Sequence, residues 1–211
     1  MQLRLGPMLG VLVADVGWCG YRLLSGAAVL EVPRNDSKGA GLALPVLIAV
    51  VLVVLVKYVL LVLLPIGGRV PVADWRQHLP YLYPQVIDRP LLLMPLWGRW
   101  AMMLALGVGR VAPGESPRLT TMGGGMNLPV ILIHWLAVTG LTVFYVSGSA
   151  VDIPLCLLIA LGVLYGAYLT AFILARRFGG QTQATVAAVG AVAELLFLVA
   201  YLPVASYIYW Y

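Results

Sequence analysis

The sequence predicts an all-α polytopic membrane protein: five transmembrane helices preceded by a less regular N-terminal membrane segment. Three observations lead there. Of the 211 residues, 62% are hydrophobic and only 10% charged, whereas a soluble domain carries roughly a quarter charged residues. The mean hydropathy is +0.99. The apolar residues gather into runs of about 20, the length a helix needs to cross a hydrocarbon core of ~30 Å. One helical membrane domain over residues 1–211 accommodates all of it.

The first segment, residues 6–30, is apolar but broken by Asp15, Arg22 and several glycines. Such irregular backbone is tolerated at membrane depth only where it is shielded from lipid. No small-residue cleavage site follows the opening apolar stretch, which argues against a cleaved signal peptide. A polar loop, 31–41, precedes the clearest span, 44–66, which is dense in Val and Leu with Lys57 near its middle. The connection 67–89 is rich in Pro, Tyr and Trp, and its Trp75, Tyr81 and Tyr83 suit a membrane interface.

The span 90–108 carries Arg99 between Trp97 and Trp100, and 109–127 reads as a loop with Arg110, Glu115, Arg118 and three consecutive glycines. Two further spans, 128–146 and 153–175, are joined by a tight turn. The last span, 185–210, carries Glu194 and ends in Tyr207, Tyr209, Trp210 and Tyr211, an interfacial aromatic belt.

Between the last two spans lies Arg176-Arg177-Phe178-Gly179-Gly180-Gln181-Thr182-Gln183-Ala184-Thr185. Two arginines, a glycine pair and hydroxyl and amide side chains suit an anion such as phosphate. The loop has no carboxylate with which to hold a metal.

Alternation of the spans puts loops 31–41, 109–127 and 176–184 on one face, with Arg34, Lys38, Arg110, Arg118, Arg176 and Arg177. The other face has Arg69, Arg76 and Arg89. The excess of basic residues places the first face in the cytoplasm and the C-terminus on the opposite side. The net charge of +5 therefore speaks of orientation in a membrane and not of nucleic acid. The lipid bilayer is the first partner implied.

Charges within apolar spans are costly, about 2.5–3.5 kcal/mol each on insertion scales, and mark candidate sites. Asp15, Lys57, Arg99 and Glu194 are such charges. Glu194 has a structural alternative, pairing with Arg99 or Lys57 inside the bundle. Lys57 can snorkel, and Arg99 can serve as an interfacial or inter-helix donor. His134 has no partner at i+3 or i+4 and reads as a packed or interfacial residue. Cys19 and Cys156 lie in apolar segments with no CxxC or His-rich spacing, which argues against a disulfide or zinc site.

Several local patterns together resemble one family. The stretch Leu30-Glu31-Val32-Pro33-Arg34-Asn35-Asp36-Ser37-Lys38-Gly39, leading into the Lys57 span, is similar to a Leu-Glu-Ile-Met-Arg-Asp-Ser-Arg-x-Gly stretch before a lysine-bearing helix. Gly98-Arg99-Trp100-Ala101-Met102 resembles Ser-Arg-x-Ala-Met. Arg110 to Gly114 is similar to the next Tyr-Ala-Arg-x-x-Gly region. The 176–185 loop, with Ala193-Glu194-Leu195-Leu196, resembles a Gly-Gly-x-Thr-Gly-Asp-Thr and Glu-Leu pattern.

The family is cobalamin-5′-phosphate synthase, or adenosylcobinamide-GDP ribazoletransferase. The resemblance covers most of the chain from Leu30 onward, in motif order and spacing more than residue by residue. It implies a multi-pass protein of a bacterial or archaeal inner membrane. It also implies transfer of activated adenosylcobinamide to α-ribazole or its phosphate, with release of GMP and with Mg²⁺.

The departures fall on the acids. With Val13-Ala14-Asp15 laid on the middle of Asp-Gly-Leu-Ala-Asp-x-x-Asp-Gly, the flanking aspartates fall on Val11 and Trp18. The aspartate of Gly-Asp-Thr falls on Ala184, and a glutamate of the last helix falls on Ala191. The chain also starts late, as though the family's first helices were absent. Mg²⁺ sites are built from carboxylate oxygens, so these losses remove ligands.

The expectation is therefore a non-catalytic relative, a structural subunit or partner of other membrane-protein subunits. An active Mg²⁺-dependent transferase acting on a corrinoid is the alternative. Asp15, Asp36 and Glu194 would form the remnant metal site. Arg34, Lys38, Lys57, Arg99, Arg176, Arg177, Gly179, Gly180, Gln181 and Thr182 are the candidate phosphate-binding residues.

Overall fold

The computed structural model describes residues 39–63, 88–147 and 152–210, with side chains over 51–63, 89–147 and 152–207. The N-terminal segment expected at 6–30, and with it Asp15, Arg34, Asp36 and Lys38, lies outside the described residues. So do Trp75, Tyr81, Tyr83 and Cys19.

Six helices make up the described fold: α1 (Gly39–Val62), α2 (Asp88–Val108), α3 (Pro117–Gly125), α4 (Leu128–Val146), α5 (Ile153–Phe178) and α6 (Gln183–Trp210). Among the described residues there is no strand, only an isolated parallel bridge between Val111 and Gln181. Four helices are long and apolar enough to cross a membrane: α2, α4, α5 and α6. The described side chains of α1 form a shorter apolar stretch, Val51–Val62. The molecule is thus a multi-pass helical membrane protein. Of the five spans expected, four meet the length and hydropathy of a crossing on described residues.

The structure corrects three boundaries. Residues 109–127 are not all loop, because α3 occupies Pro117–Gly125. Its proline at the helix start is pre-set for helical φ and loses nothing by lacking an N–H there, and this outweighs the weak propensity of three closing glycines. Arg176 and Arg177 are not in a loop but in the last turn of α5, where cations suit the negative end of the helix dipole. Arg89, counted in a surface connection, sits in the first turn of α2 and is buried.

Burial sorts the helices into centre and periphery. Of the apolar stretch of α6, 61% is buried inside the protein, and of α2 50%, but of α4 and α5 only 28% each. α6 packs chiefly against α2 and α5, α2 also packs against α4 and α5, and α1 packs against α6. The outer faces of α1, α4 and α5 expose large apolar residues, among them Leu52, Val59, Ile133, Leu136, Leu158 and Tyr165. Apolar surface on this scale belongs against lipid chains and not water.

The centre is held by close approach and by aromatic side chains. Cys156, Ile159, Ala160, Val163, Ala167 and Ala171 form the buried stripe of α5, mostly small and spaced three or four apart, so its backbone lies close to α6. Gly190 of α6 faces Gly98 of α2. A Cβ on Gly190 would come 2.6 Å from Met102 Cε and 3.1 Å from the Gly98 carbonyl oxygen. Around this crossing Trp97 stacks on Phe197 at 6.3 Å, and Phe197 on Tyr201 at 5.6 Å.

The indoles of Trp97 and Trp100 both have partners. Trp97 Nε1 donates to Thr142 Oγ1 at 3.1 Å, and Trp100 Nε1 to the Ile131 carbonyl at 3.1 Å. These bonds tie α2 to α4, and they account for the two tryptophans being in the core and not at the membrane surface.

Candidate functional site

The polar loop begins where α5 must stop. Gly179 takes the left-handed conformation (φ 69°), and the Gly180 amide returns to the Ala175 carbonyl at 2.9 Å. This satisfies a carbonyl that the helix end would leave open. Gly180 then has φ 151°, and a Cβ on it would stand 2.7 Å from the backbone of Ala112. The glycine pair allows the backbone to turn and to meet another backbone closely.

Gln181 makes that meeting permanent. Its amide donates to the Arg110 carbonyl at 2.7 Å, and the Ala112 amide donates to the Gln181 carbonyl at 3.0 Å. The Gln181 side chain is fully buried. Its Nε2 donates to the Ala171 carbonyl at 3.0 Å, and its Oε1 accepts from Thr185 Oγ1 at 2.8 Å.

Thr182 caps α6. The Thr185 amide donates to Thr182 Oγ1 at 3.1 Å, and the Thr182 amide donates to Thr185 Oγ1 at 2.8 Å. This is a reciprocal capping box with threonine in the usual place of glutamate. The donors and acceptors that resembled an anion cradle therefore tie α5, α6 and the 110–112 segment together.

Arg176 and Arg177 remain exposed. The Arg176 guanidinium lies 5.1 Å above the ring of Phe172, one turn back along α5, a cation–π arrangement.

The second polar centre lies within the spans. The Lys57 ammonium on α1 pairs with Glu194 Oε2 on α6, and both side chains are buried. A bare charge here is costly, and pairing offsets the loss of water for both groups. The Glu194 side chain passes over Gly98, where any Cβ would overlap it. Of the two cations that the sequence offered to Glu194, Lys57 pairs with it, and Arg99 is exposed on α2.

Lys57 and Glu194 thus come together, and Gly179, Gly180, Gln181 and Thr182 form one continuous knot. Glu194, the described member of the candidate metal site, gives its Oε2 to the Lys57 ammonium. Among the described residues no three His, Cys, Asp or Glu side chains gather with metal-ligand geometry.

His134 is exposed on α4, its Nδ1–H donating to the Val130 carbonyl at 2.7 Å. Cys156 is buried as a free thiol in the α5 stripe.

Two features escaped sequence reasoning. The pairing of Gly98 with Gly190 had no sequence signal beyond two glycines in apolar runs. The capping box was the second, and its signal was Thr182 and Thr185 three apart directly before an apolar run. Comparison with protein families, with curated proteins and with solved structures gives no match for this chain.

Proposed function

We propose that this chain is a non-catalytic scaffold of the membrane, a structural subunit that resembles the cobalamin-5′-phosphate synthases in layout but not in chemistry. One observation carries the reading. The polar groups of the loop most like a substrate cradle, Gln181, Thr182 and Thr185, bond to one another and to the backbone of Arg110, Ala112 and Ala171. Phosphoryl displacement depends on metal ions and positioned donors to neutralise developing charge. Here the donors serve the fold, and the intramembrane carboxylate Glu194 serves an ion pair.

Two measurements on the full chain test this. The first is GMP release from adenosylcobinamide-GDP with α-ribazole phosphate and Mg²⁺. The scaffold reading expects none, and turnover abolished by Asp15→Ala would overturn it in favour of the transferase. The second is native gel analysis after extraction in a mild detergent. A subunit migrates in a larger assembly, whereas a stable monomer with nothing bound would count against that role.

A further inference from the structure

We propose that the arginine rim formed by Arg110, Arg118, Arg176 and Arg177 is a binding surface for the phosphate of an anionic phospholipid head group. The inference does not depend on the scaffold reading, because it concerns residues that the polar knot leaves outside.

The four arginines are exposed and reach the rim from three elements. Arg110 follows the end of α2, Arg118 lies on α3, and Arg176 and Arg177 close α5. The fold brings these elements together. The Arg110 carbonyl holds the Gln181 amide at 2.7 Å. A Cβ on Gly109 would stand 3.1 Å from Ala175 Cβ, and one on Gly123 3.1 Å from Val111 Cγ2. Arg110 is thereby fixed beside the end of α5, and α3 beside Val111. Glu115 is the only acidic residue between α2 and α4 or between α5 and α6, so these described connections carry four positive charges to one negative.

Three further observations favour a lipid over a soluble anion. The rim crowns helices long and apolar enough to span a bilayer, so it stands at head-group depth. Directly beneath Arg176, the α5 face exposes Phe172 and Ile173, and Phe178 and Met122 are exposed at the rim itself, giving acyl chains a surface to lie along. The neutral donors of the loop are already bonded within the protein, so guanidinium groups are what the rim offers. Clustered cations at a membrane surface attract anionic lipids, with each basic residue worth about a five-fold change in affinity.

The test is native mass spectrometry of the full chain in mild detergent, titrated in parallel with phosphatidylglycerol and with phosphatidylcholine of the same acyl chains. Retention of phosphatidylglycerol over phosphatidylcholine is expected. Arg176→Gln/Arg177→Gln should lower that retention about twenty-five-fold, and Arg118→Gln about five-fold. These side chains are exposed and the dipole and ring contacts they give up are weak, so the variants should keep a cooperative melt close to the parent's, which separates lost binding from lost folding. Equal retention of the two lipids, or variants that bind as the parent does, would overturn the proposal. Displacement of bound lipid by inorganic phosphate would also overturn it, because the rim would then be a site for small soluble anions.

Discussion

Glu194 of α6 reaches the ammonium of Lys57 on α1 by passing over the bare backbone of Gly98 on α2. Three helices are thereby fixed at one point, and each residue is needed for the other two to keep their places. Most of the described side chains of α1 face outward, Leu52, Leu55, Val59 and Val62 among them, so the ion pair is a polar element that helps set its register against α6.

Lys57→Met should destabilise the protein by about 3–5 kcal/mol, because it takes the paired ammonium away from a buried carboxylate. Lys57→Met/Glu194→Leu should recover most of that loss, since apolar side chains at both positions leave no charge at that crossing. Thermal unfolding in detergent micelles measures both. A single variant as stable as the parent would show that the pair does not hold α1.

The glycines divide by what surrounds them. Gly190→Ala places a methyl 2.6 Å from Met102 Cε, and Gly98→Ala places one on the Glu194 side chain. Each should cost about 1–3 kcal/mol by overpacking. Gly162→Ala meets nothing within 4 Å and should be neutral or gain up to about 1 kcal/mol from helix propensity. Melting temperatures of the three variants should follow that order.

At the polar knot, Gly180→Ala should cost about 1–3 kcal/mol, because its backbone stands at φ 151° and the added Cβ would lie 2.7 Å from the Ala112 backbone. Gly179→Asn should be tolerated, since asparagine adopts the left-handed region and the site has open space. Hydrogen exchange at the Ala112 amide, which bonds the Gln181 carbonyl, should speed up only in the first variant.

Gln181→Leu removes one bond to the Ala171 carbonyl and one from Thr185. The expected loss is about 1–3 kcal/mol, with faster exchange at the start of α6. If Gln181 were instead a ligand-binding side chain, the variant would keep its melting temperature, and that result would exclude the clamp role.

Much of the fold was legible because membrane helices obey a length and polarity rule that local sequence carries in full. The apolar runs 90–108, 128–146 and 153–175 each fall within an observed helix. What failed locally was α3, where proline at the start and three glycines at the end read as loop punctuation. A nine-residue helix has too few residues for periodicity to outweigh them. The polar loop was legible as polar but not as inward-facing. The side-chain composition of Gln181 and Thr185 is the same whether they await a ligand or bond to Ala171 and to each other.

By itself, then, the sequence determined the membrane class, the position of the main helices and the charges that burial would make costly. Those follow from transfer free energies, which belong to residue types and need no partner. The tertiary structure alone decided that Lys57 meets Glu194, that Gly98 and Gly190 are a crossing point, and that Gln181 is a clamp. Those outcomes depend on which helix faces meet, and contacts between residues 137 positions apart leave no trace in local pattern.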